Sequence, residues 1–161
     1  MNVAFSSDNN YVKQLEISMI SLFENNKDMN ISVYIIDNGI NNENKERLNN
    51  IVNNYNNTIK YYSFDKLTEG LKTDNSFPVS SFGRIFLPRI KEIDKIIYFD
   101  CDSIIADSIN SLYNIDISDY YLAGVQDTVY NFYKELIGLN KEYRYVNARN
   151  DAFKFKKNER R

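Results

Sequence analysis

Asp100 and Asp102 flank Cys101 at the end of an apolar run, Ile96-Ile97-Tyr98-Phe99. Side chains two residues apart on a strand point to the same side, so this run can deliver both carboxylates to one place. Two carboxylates held that close repel each other. A hard divalent cation that prefers oxygen ligands, magnesium or manganese, removes the repulsion. The competing reading is a surface turn with two solvated aspartates, and the apolar strand leading into the pair favours the cation. Asp8-Asn9-Asn10-Tyr11 is a second group. A carboxylate and an amide can read the polar edge of a base, and Tyr11 can stack on its face. Asn9 or Asn10 can equally cap the helix that follows, and the two uses are compatible. Arg84 is the lone cation of SSFGRIF; it reads either as a partly buried ion-pair partner or as a clamp on phosphate or carboxylate. Cys101 has no base near it in sequence and reads as a small packed residue rather than a nucleophile.

Composition removes other chemistries. The 161 residues contain no histidine and one cysteine, which excludes Ser-His-Asp and Cys-His catalysis, histidine zinc sites and a disulfide scaffold. The net charge of −2 argues against nucleic acid as a partner. No apolar run approaches the roughly 20 residues of a membrane span, and no signal peptide opens the chain, so a cytoplasmic protein is expected. The charge is uneven: residues 149–161 carry a net +4 and residues 1–148 a net −6.

The elements that must position these groups follow from periodicity. Residues 2–7 read as a buried strand, and 10–24 as a helix with Val12, Leu15, Met19, Leu22 and Phe23 on one face. Residues 30–37 form a second strand ending in the turn signal Asp37-Asn38-Gly39. Residues 42–54 form a polar helix and 58–64 a third strand, a spacing that implies parallel pairing through crossovers. Residues 65–79 are irregular, and a short helix near 81–87 should stop at Pro88. The strongest strand, 95–100, is expected at the centre of the sheet. Residues 103–106 read as extended, 108–115 as a short helix and 121–127 as a strand, with a further helix from Val129. The paired asparagines read as compositional bias. In open α/β sheets ligands bind beyond the carboxyl ends of the strands. That rule gathers Asp8 to Tyr11, Asp37, Asp100 to Asp102 and Asp127 at one edge.

At these residues the chain resembles glycosyltransferase family 8, the retaining, metal-dependent hexosyltransferases of GT-A fold. The matching blocks are FSSDNNY (Phe5–Tyr11), SSFGRIFLP (Ser80–Pro88) and IIYFDCDSII (Ile96–Ile105), continued by Val125–Asp127 and Tyr145–Ala148. The resemblance covers residues 1–148 and implies an α/β, Rossmann-like nucleotide-binding sheet flanked by helices, here incomplete. It implies that Asp8 and Asn10 contact uracil and that Tyr11 stacks on it. Arg84 would sit near the diphosphate and donor sugar, and Asp100 and Asp102 would hold manganese (or magnesium) against the diphosphate. Asp127 and Asn147 would line the donor-sugar site. The implied donors are UDP-glucose or UDP-galactose, with a saccharide or lipid-glycan acceptor and a location in the cytoplasm or at the inner face of the membrane.

The chain also departs from the family pattern. The family's metal-binding histidine and a lysine to the diphosphate lie beyond this region, so the chain as given is expected to bind UDP weakly and transfer little sugar. After Ala148 the family continues with a glycine and an apolar strand of the type GMMLLNLKKMRE, whereas residues 149–161 read RNDAFKFKKNERR. Codons exist for this tail that, read one base later, encode the family continuation, so the basic tail is expected to be out of frame. Two alternatives stand beside the transferase: a haloacid-dehalogenase-type phosphohydrolase, which also carries D-x-D after an apolar strand, and a non-catalytic nucleotide-binding remnant.

Overall fold

Strand β1 (Asn2–Asp8) is buried from Val3 to Ser7 without interruption, as a strand covered on both faces must be. A 3₁₀ turn, Asn9–Tyr11, leads from it into helix α1 (Val12–Glu24). Strand β2 (Ser32–Asn38), helix α2 (Asn42–Asn54) and strand β3 (Thr58–Ser63) follow. Then come a single helical turn, α3 (Phe64–Leu67), a 3₁₀ segment, Val79–Arg89, the short strand β4 (Ile97–Tyr98) and the turn α4 (Asn110–Tyr113). The computed structural model describes residues 1–69, 79–125, 145–148 and 150–156, in two units, 1–113 and 114–161.

In the first unit the strands lie in the order β3-β2-β1-β4 and every pairing is parallel. Strand alternation sorts the core into two layers. Val3, Phe5, Val33 and Ile35 pack with Val12, Leu15, Met19 and Leu22 of α1 and Leu48 and Val52 of α2. Ala4, Tyr34 and Ile36 pack on the other face with Phe64, Leu67, Leu87 and Ile90. Both faces are covered, and each fully buried Leu, Ile or Phe contributes about 1.5–3 kcal/mol.

The fold departs from the expected elements at four points. The strand expected at 95–100 is shorter and, among the described strands, terminal rather than central: β4 closes the four-strand order beside β1. One further ladder bond, Phe99 N–H to the Ala4 carbonyl at 3.0 Å, extends the pairing before Ser103 N–H turns back on the Asp100 carbonyl at 3.0 Å. Pro88 does not stop its helical segment, which runs to Arg89 in 3₁₀ form; the fixed φ of proline is compatible with that geometry. Several asparagines have local structural uses. The Asn41 side chain caps α2 by accepting from Asn44 N–H at 2.8 Å, and Asn56 takes a left-handed φ of 54°, which asparagine tolerates. Asn57 Oδ1 accepts from Ile31 N–H at 2.8 Å. Residues 103–106 join no described strand.

In the second unit β5 (Tyr120–Val125), β6 (Tyr145–Ala148) and β7 (Asn150–Lys156) form an antiparallel sheet in the order β5-β7-β6. Strand β7 lies in the basic tail, where Ala152-Phe153-Lys154-Phe155-Lys156 alternates with the strand period. The helix expected from Val129 lies outside the described residues.

Candidate functional site

The carboxyl end of β1 is closed by Asp8 itself. Its Oδ1 accepts from Asn10 N–H at 2.8 Å and from Tyr11 N–H at 3.1 Å, so the cap is the aspartate and not Asn9 or Asn10. Asn9 instead ties the turn to the start of α2, where its Oδ1 accepts from Asn41 N–H at 3.0 Å and from Asn44 Nδ2 at 2.9 Å. The cap leaves Asn10 and Tyr11 exposed at the mouth of the strand, Tyr11 to 51%. An aromatic ring that open on a fixed turn is available for stacking.

Beside this turn, the chain after β4 runs along the end of β1. The Cys101 thiol donates to the Ser6 carbonyl at 3.0 Å and is buried in the α1-side core, so it is a packed residue as its sequence context indicated. Burial first, then Asp100, Asp102 and Asp8, push the thiol up to about 11 against a hydrogen bond with Ser7 that lowers it. One thiol therefore feels the carboxylates of both groups singled out in the sequence. The stretch beyond Asp102 is pinned by α1. Ile105 N–H donates to Ser21 Oγ at 3.0 Å, Asn25 Nδ2 to the Ile105 carbonyl at 2.8 Å, and Ile109 N–H to the buried Asn26 Oδ1 at 2.9 Å. These side chains replace the ladder partners that a strand would supply.

Arg84 reaches the same place from the opposite layer. Its guanidinium lies 3.0 Å from Asp100 Oδ1 and stacks over the Tyr98 ring at 4.9 Å. Both partners of the ion pair are about half exposed, 46% and 54%, so the pair contributes only about 0–1 kcal/mol. Burial raises the Tyr98 phenol well above its ordinary value; Arg84 opposes this and the Asp100 charge adds to it. Gly83 sets the approach. A Cβ there would stand 2.7 Å from Ser6 Oγ and 3.2 Å from two Ile36 side-chain carbons, so any larger residue would force Ser6 and Ile36 to shift for the 3₁₀ segment to lie this close to β1 and β2.

Asp37 also stands at a strand end but is engaged. Its Oδ1 accepts from Gly39 and Ile40 N–H, and its Oδ2 pairs with Lys45 at 2.6 Å. Asn147 lies in β6, opposite Asp151 of β7, and Asp127 lies outside the described residues. Among the described residues no group of three His, Cys, Asp or Glu is placed to hold a metal. Asp100 and Asp102 fit manganese or magnesium in donor chemistry, as hard carboxylate oxygens supplying part of a coordination shell. Gly83, Tyr98 and the Ser21, Asn25 and Asn26 clamp were not singled out in the sequence. The small residue before Arg84 and the aromatic two before Asp100 were the available signals.

A parallel β3-β2-β1-β4 sheet covered on both faces, with polar groups at the carboxyl ends of β1 and β4, is a GT-A-type architecture. The solved galactosyltransferase LgtC, in complex with donor and acceptor sugar analogs, superposes with a TM-score of 0.75 at 22% identity, over 95% of this chain and 57% of that one. The bifunctional glycosyltransferase WbbM gives 0.73 at 20% identity, over 95% and 31%. The Glycosyl transferase family 8 model matches residues 2–160, and the chain belongs to that family. A Haemophilus influenzae protein named as a glycosyltransferase is 36% identical over 155 residues, 92% of this chain and 46% of that relative. The lipopolysaccharide 1,2-glucosyltransferase of Escherichia coli is 32% identical over 129 residues, 78% of this chain and 38% of that relative. The chain thus spans less than half the length of these relatives. Family membership displaces the phosphohydrolase alternative.

Proposed function

We propose that this chain forms the donor-binding part of a retaining hexosyltransferase that takes UDP-glucose or UDP-galactose and a divalent cation. The observation that carries the reading is the adjacency of β1 and β4, which brings the Asp8 turn and the Asp100–Asp102 turn to one sheet edge. In this reading Asp8 and Asn10 meet the uracil edge, Tyr11 stacks on the base, and Arg84 faces the diphosphate. Asp8 can serve base and fold together, because its capping bonds use Oδ1 alone. Asp100 and Asp102 would hold manganese or magnesium, and Asp127 and Asn147 would line the donor sugar. When bound, the cation would offset the charge that builds on the departing diphosphate. The two sugars follow the activities that the similar proteins are named for, galactosyl for LgtC and glucosyl for the Escherichia coli enzyme. The latter's lipopolysaccharide supports a saccharide or lipid-glycan acceptor. Calorimetric titration with UDP, CDP and ADP in the presence of manganese tests the base contacts. UDP should bind at least about tenfold more tightly than ADP, as for a site with one or two matched polar contacts; equal affinities would contradict the assignment of Asp8 and Asn10.

We further propose that residues 149–161, although the family match extends through them to residue 160, are translated out of the family's reading frame. The support is their basic composition and the existence of codons that encode both this tail and the family continuation one base apart. The gene sequence downstream of the Ala148 codon tests it: codons that give no family-like apolar strand in the neighbouring frame would refute it.

A further inference from the structure

We propose that Asn9 is a positioning residue for the base: by completing the cap of α2 it fixes the turn on which Asn10 and Tyr11 are carried. The proposal rests on the donor-site reading above. The start of α2 is half of a capping box. In a complete box the N-cap side chain accepts from the N–H three residues on, and the side chain of that third residue reaches back to the N-cap N–H. Asn41 does the first, accepting from Asn44 N–H at 2.8 Å. The return bond goes elsewhere. Asn41 N–H donates to Asn9 Oδ1 at 3.0 Å, and Asn44 Nδ2 donates to the same oxygen at 2.9 Å. Arg47 sets the orientation of Asn44: its Nη1 donates to Asn44 Oδ1 at 3.5 Å, while its Nη2 pairs with Glu16 of α1 at 2.7 Å. Both groups that face Asn9 are therefore donors, and position 9 must supply an acceptor. Asp8 closes the turn on itself through Asn10 and Tyr11 N–H, and Asn9 carries the bond from that turn to another element. Asn10 and Tyr11 are both exposed, so their aim depends on how the turn is anchored. Without the anchor, both side chains would have to be ordered when a nucleotide binds.

Nuclear magnetic relaxation of the backbone amides of Asn10 and Tyr11 in the full chain reads the turn without any ligand. Calorimetry with UDP and with inorganic pyrophosphate, both with manganese, reads the site, since pyrophosphate lacks the base. In Asn9→Ala the order parameters of the two amides should fall from about 0.85 toward about 0.6. UDP affinity should fall about tenfold, the cost of ordering two side chains, while pyrophosphate affinity holds. Asn9→Asp keeps the acceptor and should restore the parent's values. A role in capping α2 alone is separated by combining Asn9→Ala with Asn44→Glu, where the new glutamate can close the box on Asn41 N–H by itself. The melting temperature should then return to the parent's while the turn stays loose and UDP binding stays weak. If turn rigidity and UDP affinity return with the melting temperature, Asn9 serves α2 alone and the proposal is overturned. Unchanged order parameters in Asn9→Ala overturn it as well. If the parent chain binds UDP no more tightly than pyrophosphate, the donor-site reading fails, and the role of Asn9 at the base fails with it.

Discussion

At the residue scale, Cys101 reports the field of the site. Its thiol is pushed up to about 11 from an ordinary 9.0, so the folded chain holds a proton that the unfolded chain has lost. The stabilisation is fully present below about pH 9 and disappears as pH rises through the folded value. Tyr61, raised to about 12 by burial and then Asp37, extends the same trend. Urea midpoints from pH 7 to 11 should stay level to about pH 9 and then fall. Cys101→Ala should flatten the first part of that fall, and superimposable curves for both proteins would contradict the assignment. Asp100→Asn belongs to this scale as well. It breaks an exposed ion pair, so its apo stability should remain within about 1 kcal/mol of the parent, measured by chemical denaturation. The acid pair and the Asp8 turn were legible because their chemistry is written in residue type and spacing. Their partners were not: the Asp100–Arg84 contact joins residues sixteen apart in sequence through a close approach that only the folded sheet defines.

At the scale of elements, the crossover pattern made the order of strands and helices readable. Helix α2 falls at 42–54 as its periodicity indicated, and the turn at Gly39 takes the positive φ of 89° that its Asn-Gly signal implied. The end of the acid strand was not readable, because its hydrophobicity continues to Phe99 while the ladder is cut by the turn that presents the carboxylates. The requirement at Gly83 was hidden for the same kind of reason: it comes from Ser6 and Ile36, far away in sequence. Gly83→Ala should cost about 1–3 kcal/mol by overpacking, read from the denaturation midpoint, and a wild-type midpoint would show that the 3₁₀ segment can move freely off β1. Asn26→Leu should cost about 1–3 kcal/mol, since it strands the Ile109 N–H inside the fold. An unchanged midpoint would mean that the clamp from α1 to the acid-bearing segment carries no weight.

At the scale of the whole molecule, the fold and family were readable from blocks that lie at the ends of different strands, because parallel topology collects such ends. The tail was not: its basic segment contributes strand β7, since its alternating Phe and Lys have the strand period. No helix among the described residues is long and apolar enough to cross a membrane. The central claim is that one edge of the sheet binds a uridine diphosphate through a cation held by Asp100 and Asp102. It is tested most directly by the melting temperature of the parent chain and of Asp102→Asn, each with UDP alone, manganese alone and both together. The expected result is stabilisation of the parent by UDP only when manganese is present, and loss of that stabilisation in Asp102→Asn with an unchanged melting temperature in the absence of ligands. Equal stabilisation by UDP without manganese, or in the variant, would contradict the claim.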